Sequence, residues 1–595
     1  MSELYKLKQL QNTKEFAEYL GYTAQMLTYL LYSPDYKNKY VQFSIVKKSG
    51  GERNICAPDK KLLLLQKRLA AKLQQCYEEI SCMFSKEPNF ILTENIRSSI
   101  VHGFRKKLSI QSNALCHING NILLNVDLKD FFPSINFGRV RGFFIKNSFF
   151  HLNEKVATLI AQIVCYNNEL PQGAPTSPVI ANLLATPMDV RILNLAKKNG
   201  VFYTRYADDL TFSTKLKIFP EDFLIVTETL EYSLGKKLKK IIQDSGFVIN
   251  ENKVRMHLKQ SKQTVTGLVV NKKVNVDRKY YKLLRAQCHS LFTKGFYIDN
   301  GVKICREEYE KLKSLEGKLN FAFFTNNFCQ YVSRTQKEQR GIFQKGTFYS
   351  YSRLDTKNRN DNLIENSSKA IKNLYLLYLC YKNFVNISKI TILCEGKTDV
   401  FYLKLANKQL KQYGNDDIFY VKLGGVLEKD CNFIGGTSNL CKFIDSYDNF
   451  VEKFNIPFSF PIIIIVDRDK AGKDVLNEYE KKYVKENILT NDTTYFNQKN
   501  NLYLIVLPKF SGHNEDKIVI EHYLDKNILE NGINGQKLNL TNNKTENGDL
   551  GKDRFAKLVS KNRSKYSFSN FKLIFDEIQK VEDDFSRRMR IHNIQ

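Results

Sequence analysis

The chain contains no tryptophan, an absence for which the sequence offers no physical reason. None of its twelve cysteines stands in a C-x-x-C pair, so neither a zinc ribbon nor a dithiol redox motif is indicated. Scattered as they are, they read as reduced core residues of a cytosolic protein. Long apolar runs are missing as well. The longest, Phe460 to Val466, is far too short to cross a bilayer, and the opening segment from Met1 to Phe16 has no apolar signal region. A soluble, cytoplasmic chain without a membrane partner is expected. Acidic residues are in deficit: 91 Lys and Arg stand against 62 Asp and Glu, a formal charge of +29. That imbalance points to a polyanionic partner, nucleic acid before a membrane surface. Core material is ample, 43% hydrophobic and 12% aromatic over 595 residues, enough for about two to four globular domains.

The stretch from Tyr203 to Ser213 organises the first half. Apolar and β-branched residues run into Asp208-Asp209 and out again, the pattern of a β-hairpin with two carboxylates at its turn. Adjacent carboxylates repel, so beyond a solvated turn the pattern suggests cation binding, with Mg²⁺ favoured for its oxygen ligands. A strand from Asn121 to Val126 leads to Asp127, followed by the aromatic turn Phe131-Phe132-Pro133. Upstream, residues 1–40 suggest short amphipathic helices, and residues 41–58 a hairpin with a Gly-Gly turn flanked by Lys47, Lys48 and Arg53. Such basic groups suit a triphosphate clamp or simply a solvated hairpin. A helix follows from Asp59 to about Ile80. The loop Leu170 to Pro178, rich in Gly and Pro, allows close backbone approach to a ligand, and Gln172 and Ser177 could hydrogen-bond a base or sugar. Helices are expected over 179–199 and 219–245, the latter carrying Lys236, Lys237, Lys239 and Lys240, with strands over 246–253 and 264–270. Residues 277–350 read as Lys- and Arg-rich helices with interleaved aromatics, able to track a phosphate backbone. A polar linker, 355–368, and one more helix, 370–384, close this half.

Composition then shifts. Apolar strands end at Glu395-Gly396, at Gly424-Gly425, at Asp467-Arg468-Asp469 and at Pro508. Continuous apolar strands separated by helices argue for a parallel sheet buried on both faces. The tail beyond Gly532 reads as polar and weakly patterned.

Asp127 on one strand and Asp208-Asp209 on a hairpin have the order of a polymerase palm, and residues 40 to about 285 resemble a reverse transcriptase. Asp127 matches its first catalytic strand, Gln172-Gly173 its template and substrate loop, and Tyr206-Ala-Asp-Asp209 its catalytic hairpin. The resemblance implies two Mg²⁺ ions on Asp127, Asp208 and Asp209, and a Phe132 ring that selects dNTPs by excluding a 2′-hydroxyl. It also implies substrate contacts from Lys47, Arg53, Gln172, Gly173, Tyr206 and Lys253. Asn113-Ala114-Leu-Cys-His117 and Val265-Thr266-Gly267 resemble two retron-type elements, and Arg205 ahead of the hairpin is retron-like. A retron enzyme binds a structured non-coding RNA, primes from an internal guanosine 2′-hydroxyl and makes branched RNA-linked DNA (msDNA). By resemblance, Asn113, His117, Lys279, Lys282 and Arg285 would contact that RNA.

Residues 385–525 resemble a Toprim domain, with Glu395 after the first strand, Asp467 and Asp469 after a later one, and Gly424-Gly425 or Gly435-Gly436 as its glycine pair. Glu521 is a further candidate carboxylate, as in the nuclease branch of that fold. The implied fold is multidomain α/β and α+β: a right-hand polymerase followed by a parallel-sheet Toprim domain. Its expected parts are N-terminal helices and fingers 1–110, palm 111–275, helical thumb 276–350, linker and helix 351–385, Toprim 386–530 and a C-terminal extension 531–595. The expected activities are RNA-directed DNA synthesis and Mg²⁺- or Mn²⁺-dependent nucleic-acid cleavage in antiphage defence. Oligomeric state is left open, a homo-oligomer included. The alternatives are an intron maturase-like or diversity-generating reverse transcriptase, a scaffold with a dead polymerase, and a topoisomerase or primase role for the second half. The Asn-Ala-x-x-His element weighs against the first, the intact Asp127, Asp208 and Asp209 against the scaffold, and the want of a nucleophilic tyrosine in a recognisable context against the last.

Overall fold

A computed structural model describes residues 2–34, 36, 39–46, 50–85, 100–226, 232–340, 369–414, 417–421, 435–454, 456–483, 493–496, 499–510, 517–533, 538 and 550–592. Lys47, Lys48, Gly424-Gly425 and the linker 355–368 lie outside the described residues. The chain forms two compact units, Met1–Arg278 with Phe324–Tyr349, and Lys279–Phe323 with Ser350–Gln595.

In the first unit, three short helices, α1 (Glu3–Gln9), α2 (Thr13–Tyr19) and α3 (Ala24–Tyr32), begin at Ser2, Asn12 and Thr23, whose side chains accept the free amides of the first turn. The ribbon β1 (Tyr40–Val46) and β2 (Glu52–Pro58) is antiparallel. In α4 (Lys60–Ser85), Leu62, Leu65, Leu69, Leu73, Cys76 and Ile80 form a buried stripe of helical period. Next come α5 (Ile110–Leu115), β3 (Ile122–Lys129), α6 (Phe137–Lys146), α7 (Glu154–Val164), α8 (Ser177–Lys198), β4 (Val201–Tyr206) and β5 (Asp209–Thr214). By length and composition α8 could cross a membrane, but 67% of its apolar window is buried inside the unit, as in a core helix.

The helix expected over 219–245 is shorter than the sequence suggests. Residues Leu224–Val226 (β6) and Tyr232–Leu234 (β7) pair antiparallel, and only Lys236–Asp244 (α9) is helical. The β-branched pair Ile225-Val226 favours an extended backbone there. Short strands β8 (Val248–Ile249), β9 (Arg255–Leu258), β10 (Thr264–Val265) and β11 (Leu268–Val269) follow. The central antiparallel sheet runs β4-β5-β3-β8, with β9 also paired to β3. Its apolar residues join the helices in one core.

The second unit takes up α10 (Arg278–Lys294) from its second residue, a hairpin, β12 (Phe296–Asp299) and β13 (Val302–Cys305), and the start of α11 (Tyr309–Arg340), which from Phe324 on counts with the first unit. The hairpin interrupts the expected run of helix. Asn300 (φ 48°) and Gly301 (φ 81°) make its turn, and Asn-Gly is a strong hairpin signal that the surrounding lysines and arginines obscured. The Lys369–Cys380 helix precedes β14 (Ile390–Cys394), β15 (Ile418–Tyr420), β16 (Ile462–Val466), β17 (Thr494–Tyr495) and β18 (Leu502–Val506). The sheet order is β15-β14-β16-β18-β17; all neighbours are parallel except the β17 edge. Helices Lys397–Leu410, Thr437–Val451 and Lys470–Tyr483 follow individual strands, as parallel strands require. The tail corrects the sequence reading. Helices Lys552–Lys561 and Lys572–His592 bury Phe555, Val559, Ile574, Phe575, Ile578, Val581 and Phe585 in the core of this unit. That spacing is helical and amphipathic, hidden in the sequence among many charged residues.

Candidate active sites

In the first unit β3 and β5 pair so that Asp127 lies directly opposite Asp209. Asp208 occupies the turn between β4 and β5, and its carbonyl accepts the Leu128 amide at 3.0 Å. Three carboxylates therefore share one end of the sheet. Crowding by protein raises the Asp208 carboxyl, and the charge of Asp127 adds to that, while Lys253 and Arg53 pull it down. Asp209 is pushed up to about 7, by burial first and then by Asp208 and Asp127. It still keeps an exposed face. Lys253 Nζ stands 3.1 and 3.0 Å from the two Asp127 oxygens, and Asn250 Nδ2 donates to Asp127 at 3.2 Å. The donor set fits a hard divalent cation: three neighbouring carboxylates, two of them raised by burial and by the charge of their neighbours, and an ammonium already holding a cation's place. Among the described residues, no three His, Cys, Asp or Glu side chains are closed into a ready metal cage.

The surrounding residues divide into those that face this site and those that build it. Arg53 on β2 acts electrostatically on Asp208. The Gln172 carbonyl accepts the Cys56 amide at 2.8 Å, which docks the loop on the ribbon. Gly173 has φ +119°, and a Cβ there would meet Ile55 at 2.9 Å, so glycine is required by close approach. Phe132 is half-buried, its ring 5.5 Å from Phe131 and 6.1 Å from Phe104. Tyr206 lies opposite Asp209 in the hairpin and is partly exposed. Ser177, read as a possible ligand to base or sugar, is 2% exposed and donates to the Pro171 carbonyl at 2.7 Å; it holds the loop together.

Asn113 and His117, expected to contact RNA, are 0% and 1% exposed. Thr204 Oγ1 donates to Asn113 Oδ1 at 2.6 Å, and the two His117 nitrogens lie 2.7 Å from the hydroxyls of Thr204 and Ser213. Burial, with His102 nearby, lowers His117 to about 3, so it is neutral. These residues join the α5 segment to the β4–β5 hairpin and are buried, where an exposed RNA contact was expected. Thr266 Oγ1 donates to the Ile110 carbonyl, which brings the Val265-Thr266-Gly267 turn onto the same helix. Sequence reasoning missed the residues behind the hairpin, Asn182 and Asp189. Both are polar and seven apart on the otherwise apolar buried face of α8, a spacing that could have flagged them.

In the second unit the carboxylates gather at the carboxyl ends of β14 and β16. Glu395 Oε1 accepts from Thr437 at 2.7 Å, and its carbonyl accepts the Gly436 amide at 3.1 Å, which brings Gly435-Gly436 to this site. Asp467 Oδ1 accepts the Ile520 amide at 3.1 Å, and Asp469 Oδ1 the Gly472 amide at 2.9 Å. Burial, then Asp399 and Glu521, push Asp467 up to about 8. Glu395 is raised by burial, with Asp469 and Asp399 adding to it. Two further members were not assigned from sequence. Asp399 is buried and accepts the Gly396 amide at 2.7 Å. Lys552, from the tail, pairs with the fully buried Glu521 at 3.2 Å. Burial opposes the Lys552 charge, but Glu521, Asp467 and Asp399 outweigh it and hold the ammonium above the usual range.

Lys279, Lys282 and Arg285 lie on one exposed face of α10, three residues apart. Its other face buries Leu284, Cys288, Leu291 and Phe292.

An antiparallel sheet with an Asp-Asp hairpin opposite a third aspartate defines a class, and the family comparison gives it a name. Residues 45–270 match the model of the family described as reverse transcriptase (RNA-dependent DNA polymerase). The chain is 33% identical over 290 residues to the retron Ec86 reverse transcriptase of Escherichia coli, across 48% of this chain and 79% of that protein. It is 32% and 31% identical to the retron Mx65 and Mx162 reverse transcriptases of Myxococcus xanthus, across 48% and 54% of this chain and just under two thirds of each relative, 64% and 65%. The chain belongs to the retron reverse transcriptase family. Among solved structures, a truncated apo telomerase from Candida tropicalis is similar at 13% identity and a TM-score of 0.27, across 43% of this chain and 61% of that one; at that score the likeness defines neither fold nor function.

Proposed function

We propose that the chain copies a structured non-coding RNA into branched RNA-linked DNA and that its second unit is a Toprim nuclease effector of antiphage defence, acting in the cytoplasm. The observation that carries the first half is the meeting of Asp127, Asp208 and Asp209 at one sheet end, with Lys253 and Arg53 offsetting part of their charge. Asp127, Asp208 and Asp209 would hold Mg²⁺, which when bound supplies Lewis-acid stabilisation of the triphosphate and a more acidic attacking hydroxyl. Lys253 and Arg53 then have anionic dNTP phosphates as their natural second partner, and the Phe132 ring sorts the sugar. The basic face of α10 takes the RNA backbone, where Lys279, Lys282 and Arg285 supply charge without sequence preference. This reading divides the first part of the chain into fingers, palm and thumb at residues 110, 275 and 350.

For the second unit, Glu395, Asp467 and Asp469, joined by Asp399 and Glu521, would hold Mg²⁺ or Mn²⁺ for phosphodiester cleavage. Support comes from the location of Glu395, Asp467 and Asp469 just past the carboxyl ends of β14 and β16, where open sheets build sites, with Asp399 and Glu521 acting on Asp467. The test of the polymerase half is primer extension with the purified protein, its RNA, dNTPs and Mg²⁺. Asp208→Asn should lose extension while melting like the wild type; near-normal extension by that variant overturns the assignment.

A further inference from the structure

Arg205 holds a full charge in the interior of the first unit. Its side chain is 0% exposed and that of its partner Asp189 is 4% exposed. Arg205 Nε donates to the two Asp189 oxygens at 2.9 and 3.2 Å, and Nη2 donates to Oδ2 at 2.8 Å. Tyr203 OH donates to Asp189 Oδ1 at 2.8 Å. The remaining guanidinium nitrogen, Nη1, donates to Asn182 Oδ1 and to the Ala207 carbonyl, each at 3.1 Å. Ala207 precedes the two aspartates and has φ +55°, a left-handed conformation that a residue with a Cβ adopts at a cost. On the other side of the same residue, at the preceding peptide, a Cβ on Gly103 would meet the Ala207 nitrogen at 2.6 Å. Gly103 is itself held there, because its carbonyl accepts Asn182 Nδ2 at 3.0 Å.

A buried ion pair adds little net stability compared with apolar residues of the same size. What this pair does provide is a rigid fork aimed at one carbonyl. We propose that Asp189, Arg205 and Asn182 are positioning residues for DNA synthesis: from behind the hairpin they fix the strained Ala207 peptide and so set where Asp208 and Asp209 point. The inference rests on the polymerase reading of that hairpin. A turn free to relax would still bind nucleic acid and dNTP but would present its carboxylates out of place, and a displacement of about 1 Å can lower a rate on the order of 100-fold.

Two variants test this in the full chain with its RNA. Arg205→Lys keeps the charge pair with Asp189, but a single ammonium cannot also serve Asn182 and Ala207. The double variant Arg205→Met with Asp189→Leu removes both charges and refills the space. For each, primer-extension kcat, KM for dNTP, the half-saturating Mg²⁺, Mn²⁺ binding by calorimetry and the melting temperature are measured beside the wild type and Asp208→Asn. The expected result is kcat down about 10- to 100-fold, KM for dNTP within about twofold, and divalent-cation binding weakened several-fold in both variants, with melting close to wild type in at least Arg205→Lys. Wild-type kcat and metal binding in either folded variant would overturn the proposal, as would a loss of activity that follows melting alone with metal binding unchanged. If Asp208→Asn extends primers as the wild type does, it is the polymerase reading that fails instead.

Discussion

The two acidic sites face the same electrostatic problem and solve it with different backbones. In the first unit the carboxylates sit on the adjacent antiparallel strands β3 and β5 and on the turn between β4 and β5; in the second Glu395, Asp467 and Asp469 follow parallel strands. Each cluster has one lysine against it, Lys253 on Asp127 and Lys552 on Glu521. In each, burial first and neighbouring carboxylates second raise the acids, Asp209 to about 7 and Asp467 to about 8. The means of orientation differ. At the parallel-strand ends, amides of the strand-to-helix turns do it, those of Gly396, Gly472 and Ile520 holding Asp399, Asp469 and Asp467. A tight hairpin leaves few free amides, so the first site uses a buried guanidinium behind the turn. A helix-opening turn supplies its own donors, whereas a hairpin turn has to be braced by side chains from elsewhere.

The sharpest way to break this comparison is to disable one site at a time. Carboxylate effects on a bound metal are local, so Glu395→Ala or Asp467→Ala should still make the branched DNA yet lose nuclease activity and phage protection. Asp208→Asn should do the reverse to the chemistry, with synthesis down on the order of 1,000-fold or more. Product gels and cleavage assays on the same preparations decide it: loss of DNA product in Glu395→Ala would mean the sites are coupled. Next in size is sugar selection. Phe132→Val opens space beside the first site and should raise ribonucleotide incorporation relative to deoxyribonucleotide by about tenfold or more, read by competing rNTP and dNTP in one extension; unchanged discrimination would make the ring packing alone.

Smaller effects separate recognition from chemistry. Lys279→Gln with Lys282→Gln should weaken binding of the cognate RNA and flatten its log-affinity against log-salt slope by about 2, with extension on a generic primer–template unchanged. Equal loss on both substrates would mean that α10 holds duplexes generally. The smallest effect is on stability. A carboxyl raised in the folded state favours folding below its unfolded value and loses that contribution as pH rises through its folded value. Without divalent metal, melting should therefore fall by a few degrees as pH rises from about 4, the unfolded carboxyl value, and level off by about pH 8. The Asp209 contribution is lost by about pH 7 and the Asp467 contribution by about pH 8. Asp209→Asn should remove the part that ends near pH 7 and Asp467→Asn the part that runs on to pH 8, and Mg²⁺ should raise melting more at pH 9 than at pH 6, because protons compete with it.

Much of this was legible in the sequence because the candidate carboxylates sit at strand ends, where the apolar run stops abruptly. That pattern located Asp127, Asp208-Asp209, Glu395 and Asp467. What stayed hidden lies on elements whose pattern points elsewhere. Asp189 and Asn182 are buried on a core helix, where a polar residue looks like an exposed one until its partner Arg205 is known. Asn113 and His117 carry a recognisable spacing, but spacing does not say whether a side chain faces inward to Thr204 or outward to a ligand. Lys552 comes from a tail whose amphipathic period is masked by charge.

The account stands most directly on the nucleic acid that the protein makes in cells. Wild type and Asp208→Asn, each expressed with the native locus, are purified and their bound nucleic acid is sequenced after treatment with and without ribonuclease. DNA joined to RNA through a branch in the wild type, with only the RNA in Asp208→Asn, is the predicted result. No DNA in the wild type, or the same branched DNA in both, would contradict it.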